Sequence, residues 1–222
     1  MKRERIVFLT LLLVLLADQA SKIWVKTHLA YGEEIRIFGS SHLLIHFVEN
    51  NGMAFGISLG GDYGKLLLTL FRIVAVVFLG MYLRRAVQSG EDRQLLFGFS
   101  LVLAGAIGNI IDSVFYGRIF SESSFHGDVA TLFPPEGGYA PLLYGRVVDM
   151  FYFPLFYGNY PDWLPWLGGK AFVFFRPVFN VADVAISLGV VLLLWYYFGS
   201  VLRNRPAAAA PGDSADQEAE EE

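Results

Sequence analysis

Apolar residues along this chain gather into four long runs. The first covers residues 6–25, and its strongly polar interruptions, Asp18, Gln19, Ser21 and Lys22, cluster near the end. The second covers 66–83, the third 94–115 with Asn109 and Asp112 late in it, and the fourth 177–202, opening on Pro177, a residue suited to a helix start. Each run has about 18 residues or more, enough to cross a hydrocarbon core of roughly 30 Å at about 1.5 Å per residue. The pattern predicts an all-α membrane fold of four transmembrane helices. Residues 34–38 and 43–48 read instead as strands, so a small extracytoplasmic β-sheet platform is expected. The stretch 116–176 is rich in Gly, Pro and aromatics; Tyr152, Phe153, Trp163 and Trp166 suit the headgroup level.

Charge orients these spans. Lys2, Arg3 and Arg5, then Arg84, Arg85 and Arg93, then Arg203 and Arg205 share one side of a four-span arrangement. Short basic segments mark the cytoplasmic side, so both termini are expected inside and the connections 26–65 and 116–176 outside. The first run is expected to stay as a helix, because cleavage after Ala20 would put Asp18 where a small residue is needed. Residues 1–205 then form one integral membrane domain. Residues 206–222, mostly Ala, Pro and acidic side chains, read as a disordered cytoplasmic tail.

Composition removes several function classes. The net charge of −4 comes largely from the acidic tail, so nothing resembles the basic footprint of a nucleic-acid binder. The absence of cysteine excludes disulfides, thiolate metal sites and a cysteine nucleophile. Four scattered histidines without an HExxH pattern point to no metal and no cofactor.

What remains is a set of carboxylates and carboxamides in or beside apolar runs, nearly all at the outer ends of the spans. A carboxylate in a bilayer is costly and persists only with a partner or a task. Asp18 and Lys22, four apart, share one helix face and read as an internal ion pair. Asn109 and Asp112 are three apart, as are Asn180 and Asp183, and Asp149 sits in an apolar stretch before the fourth span. Two aspartates held together in a poorly solvated site cannot both ionise easily, so one keeps a proton while the other acts as a base. That is aspartic-protease chemistry. A small proton-coupled transporter using the same carboxylates is the alternative, although it would need polar groups near the midplane and inner side, where these runs are almost purely apolar.

The ordered motifs resemble those of the lipoprotein signal peptidase (signal peptidase II) family. Asp18-Gln19-Ala20-Ser21-Lys22 is similar to its DQxxK, Asn50-Asn51-Gly52-Met53-Ala54-Phe55 to NxGxAF, Gly105 through Asp112 to GxxGNxxD, Val147-Val148-Asp149 to VVDF, and Phe179-Asn180-Val181-Ala182-Asp183 to FNxAD. The resemblance covers about residues 10–200. It implies an aspartic endopeptidase of the bacterial inner membrane that removes signal peptides from diacylglyceryl-modified prolipoproteins, cutting before the lipidated cysteine. It further implies that Asp149 and Asp183 are catalytic and that Asn50, Asn109 and Asn180 line the site. Asp18, Lys22, Asp112 and Gly52 would be supporting groups. The expected partners are the lipid-modified substrate, entering sideways, and membrane lipids, with the chain acting as a monomer.

Two departures stand out. The family motif ends in Arg where this chain has Ser113, and a planar guanidinium binds oxygens in a way a hydroxyl does not; Arg118 and Arg146 are candidates to replace it. Residues 121–144 look like an insertion and are expected to act as a lid or substrate guide. Arg72, inside the second run, needs a partner or a headgroup that the sequence does not identify.

Overall fold

The computed structural model describes residues 2–51, 61–125 and 127–203. Four helices are long and apolar enough to cross a membrane, Arg3–His28, Tyr63–Gln88, Arg93–Ile119 and Val181–Gly199. They belong to α1 (Arg3–His28), α2 (Gly61–Gln88), α3 (Arg93–Ile111) with its continuation, and α5 (Val181–Arg203). Asn50 and Asn51 of the Asn-Asn-Gly-Met-Ala-Phe motif are described, but Gly52, Met53, Ala54 and Phe55 lie outside the described residues, as does the tail 206–222.

The ends of the helices follow from their residues. α2 stops at Ser89-Gly90, where Gly90 takes a φ of +78°, a left-handed position that suits glycine. Asp92 then caps α3, its carboxylate accepting from Gln94 N at 2.7 Å. Past Ile111 the helix widens into a π-turn, Asp112–Tyr116, followed by one helical turn, α4 (Gly117–Ile119). Such widenings interrupt the regular ladder and re-aim the side chains around them.

α3 is the central helix, packed against α1, α2 and α5. Small residues set its distance from α5. A Cβ on Gly189 would come 2.7 Å from the Gly98 carbonyl oxygen, and one on Gly105 would overlap the carbonyl oxygen of Ala182. These glycines let two backbones approach closely, as at tight helix contacts within bilayers. The outward faces carry large apolar side chains such as Phe8, Leu13, Leu67, Phe78, Val191 and Trp195.

Outside the spans, β1 (Glu34–Arg36), β2 (Leu44–Asn50), β3 (Val147–Tyr152) and β6 (Val178–Phe179) form an antiparallel sheet in the order β1-β2-β3-β6. Val25, Leu29, Phe47, Tyr116, Phe120, Val148 and Met150 make the core beneath it. A separate hairpin, β4 (Phe156–Asn159) with β5 (Ala171–Phe174), carries exposed Phe156 and Tyr157, with Trp163 and Trp166 at its tip. Residues 121–144 are tied down rather than loose. Phe120 bridges Leu132, Tyr31 N donates to Ser124 O at 3.1 Å, and Arg146 binds Glu49 at 3.2 Å and Glu122 at 3.1 Å. The expected lid is thus anchored to α1 and β2 at its first half.

A buried ionic cluster joins these layers. The Lys22 ammonium lies 3.0 Å from Asp18 and 2.8 Å from Asp112, and all three side chains are fully buried. Asp18 also accepts from Ala182 N at 2.9 Å, and Asp112 accepts from Val148 N at 3.2 Å. Gln19 Nε2 donates to both carboxylates at 3.0 Å, while its oxygen accepts from Tyr116 OH at 3.1 Å. Gly108 makes room, since a Cβ there would lie 2.6 Å from an Asp18 oxygen. Removing one partner of a buried pair leaves the other charge uncompensated, at a cost of about 3–5 kcal/mol. Lys22→Met is therefore expected to lower the melting temperature and yield of the purified protein sharply. Asp18→Asn should be milder, because Lys22 keeps Asp112. Unchanged thermal melting of Lys22→Met in detergent would contradict this role.

Candidate active site

Three elements deliver the polar groups that cluster at the outer ends of the spans. α3 carries Asn109 on the face turned to α5. β3 carries Asp149, opposite Val48 of β2. β6 runs straight into α5, and the Phe151–Phe179 pairing of β3 with β6 brings Asn180 beside Asp149.

The start of α5 caps itself. Asn180 Oδ1 accepts from Asp183 N at 2.9 Å, and Asp183 Oδ2 accepts from Asn180 N at 3.2 Å, a reciprocal capping box made of Asn and Asp. This fixes both side chains. The other Asp183 oxygen accepts from Asn109 Nδ2 at 2.8 Å. Asn180 Nδ2 donates to Asp149 Oδ1 at 2.7 Å, to Asn109 Oδ1 at 3.1 Å and to Val148 O at 3.2 Å. Lys22 also reaches Asn109 Oδ1, at 2.9 Å. Asn50 lies opposite Val147, a diagonal neighbour of Asp149, and its carboxamide hydrogen-bonds that carboxylate.

The structure thus brings Asp149, Asp183, Asn50, Asn109 and Asn180 together. Asp18 and Asp112 are one shell removed, holding Lys22. Burial pushes the Asp149 carboxyl up to about 7, and the nearby negative charge of Asp183 adds to this, while Lys22 and the two carboxamides from Asn180 and Asn50 oppose it. This carboxyl therefore holds its proton to higher pH than an exposed aspartate does, as an acid in an acid–base pair must.

Neither candidate for the missing arginine stands here. Arg118 is exposed, and Arg146 is engaged by Glu49 and Glu122. The Ser113 hydroxyl turns back to Asn109 O at 3.0 Å. Besides Lys22, a second cation is drawn to the pair, Arg72 of α2, which is attracted to both Asp183 and Asp149. The sequence also left unassigned a second buried lysine, Lys26, bonded to Glu49 and to Ser123 at 2.7 Å and facing the rings of Phe47, Phe120 and Tyr139. Its spacing offered a signal, since Asp18, Lys22 and Lys26 recur every four residues on one helix face.

Two cavities lie nearby. One of about 360 Å³ opens between α2, α3 and α5; Asp183, Asn109 and Arg72 line it with apolar residues including Phe71, Val102 and Ile186. A larger one of about 610 Å³ sits over the end of β2, lined by Tyr31, Glu49, Asn51, Glu122 and Arg146, and the aspartate pair does not border it. The smaller cavity is the one with chemistry in its wall. Among the described residues, no group of three or more His, Asp or Glu side chains is arranged to hold a metal ion.

Comparison with known proteins identifies the family. The signal peptidase (SPase) II family matches residues 10–199. The lipoprotein signal peptidase of Porphyromonas gingivalis is 52% identical over 199 residues, covering 87% of this chain and 83% of that one. That of Amoebophilus asiaticus is 40% identical over 186 residues, covering 82% and 73%. A solved bacterial membrane enzyme shares the fold with a TM-score of 0.60 at 20% identity, covering 92% of this chain and 94% of its own. A membrane bundle with ordered motifs and relatives this close leaves no support for the transporter alternative: the chain belongs to the signal peptidase II family.

Proposed function

We propose that Asp149 and Asp183 are the catalytic pair and that Asn50, Asn109 and Asn180 hold it and the substrate backbone. The chain is an aspartic endopeptidase of the membrane, multi-pass, that removes signal peptides from prolipoproteins. The observation that carries the residue assignment is the bridge of two carboxamides, Asn109 and Asn180, between the two carboxylates.

The geometry supports a division of labour. The proton rests on Asp149, whose carboxyl is raised to about 7 by burial and by Asp183. Asp183 then takes a proton from water, the hydroxyl attacks the scissile carbonyl carbon, and Asp149 donates its proton to the carbonyl oxygen. On collapse, the C–N bond breaks, the leaving amine takes the proton that Asp183 received, and one gem-diol hydroxyl returns its proton to Asp149 as the new carboxyl forms. The bond cleaved is the one before a diacylglyceryl cysteine. Such a substrate already has its acyl chains and apolar helix in the bilayer, and the cavity between α2, α3 and α5 suits sideways entry. The chain works as a monomer in the bacterial inner membrane, both termini cytoplasmic, with the sheet and site outside.

Four outcomes test this reading. Asp149→Asn and Asp183→Asn should each abolish single-turnover cleavage without unfolding the protein, and the double variant should lose little more, because a pair acting as a unit is non-additive. The wild-type rate should fall as pH rises through about 7, when Asp149 gives up its proton, and fall again in acid when the second carboxylate gains one. Substantial cleavage by either single variant would falsify the two-aspartate mechanism. A diacylglyceryl prolipoprotein should be cut far faster than its unlipidated form; equal rates would remove the lipid from the recognition. Reporters fused after Arg85 and after Arg203 should signal cytoplasm and one inserted at Gly137 the outside, and a cytoplasmic signal at Gly137 would invert the orientation.

A further inference from the structure

Arg72 stands alone as the charged residue of α2 between Lys65 and Arg84. It lies nine residues into the span that begins at Tyr63, about 14 Å along the helix axis. A cation at this depth is costly unless it meets an anion or reaches a headgroup. The structure aims it at an anion: Arg72 shares the wall of the 360 Å³ cavity with Asp183 and Asn109, and the rest of that wall is apolar, with Leu79, Val102 and Ile186. Asp183 and Asp149 are the two charges that attract it. Apolar walls weaken solvent screening, so a charge there acts more strongly than one at the surface.

Charge balance explains why the site needs it. Lys22 faces the pair from α1, but it already answers to Asp18 and Asp112, a cluster with one net negative charge. Glu49 is matched by Lys26 and Arg146 beside the other cavity. Lys65 of α2 bonds Asn51 at 3.1 Å. A working aspartate pair carries one proton and one negative charge. We infer that Arg72 is a positioning residue of the reaction, its guanidinium balancing the single negative charge that Asp149 and Asp183 must keep between them. The inference rests on the assignment of that pair, and it places the cation on α2, where Ser113 leaves none on α3.

The test is the pH profile of kcat/KM, which reports the free enzyme. Arg72→Met keeps length and loses charge, and Arg72→Lys keeps charge. Loss of the cation favours protonated carboxylates, so both limbs of the Arg72→Met profile should move to higher pH, by on the order of one unit. Cleavage should then persist above neutrality, where the wild type has begun to lose it, and be weaker on the acid side. Arg72→Lys should restore most of the wild-type position. If Arg72→Met cannot be recovered folded, Arg72→Gln gives the same reading. A profile that stays in place overturns the inference, whether the rate is unchanged or uniformly lowered, because a packing or binding role would not move it. Asp149→Asn and Asp183→Asn run alongside: inactivity in both with an unmoved Arg72→Met profile rejects Arg72 alone, whereas cleavage by either rejects the pair on which it depends.

Discussion

The ammonium of Lys22 sits between two buried carboxylates, Asp18 and Asp112, and donates a further hydrogen bond to Asn109 Oδ1. Each carboxylate in turn holds a backbone N–H, Ala182 at the start of α5 and Val148 in β3. One cation thereby ties α1, α3, α5 and β3 at a single depth. It also decides how the active site is wired. With Asn109 Oδ1 taken by Lys22 and Asn180, the Asn109 amide nitrogen has to face Asp183. The orientation of a carboxamide is set by its network, and here that network begins at Lys22.

The carboxylates divide into two kinds by their partners. Asp18 and Asp112 each contact an ammonium and a backbone donor, which fixes them in place. Among the described residues no cation is in direct contact with Asp149, which is buried beside another carboxylate, and its proton is correspondingly hard to remove. The same residue type is scaffold in one place and, in the proposed mechanism, chemistry in another, over a short distance, because of what surrounds it. Gly105 and Gly108 keep the two sets adjacent: the first lets α3 approach Ala182 of α5, and the second leaves room for Asp18.

The outer sheet supplies precision that a bundle of helices alone would lack. β3 is held by β2 on one side and β6 on the other, so Asp149 is positioned by hydrogen-bonded register rather than by a loose connection. β6 passes directly into α5, and the Asn180–Asp183 capping box fixes the junction. The insertions flanking β3 leave this frame intact. One is pinned through Glu49, Ser123 and Arg146, and the other is a separate hairpin with aromatic side chains at its surface.

Sequence alone determined the four spans, because a bilayer demands long apolar runs, and the Asp18–Lys22 pair, because residues four apart share a helix face. It also placed Asn109 and Asn180-Asp183 correctly at helix ends, and the outer strands to within a few residues. What the sequence left open was every relation between distant segments. Lys22 with Asp112, Lys26 with Glu49 and Asp149 with Asn180 are contacts between separate elements, and Arg72 shares a cavity wall with Asp183, with no local period to announce any of them. Arg118 and Arg146 were reasonable substitutes by proximity in the chain, yet one is solvent-facing and the other serves Glu49 and Glu122. Only the packing of α2 against α3 brought a guanidinium to the pair, since electrostatic partnership depends on distance through space in a poorly screened cavity and not on position along the chain.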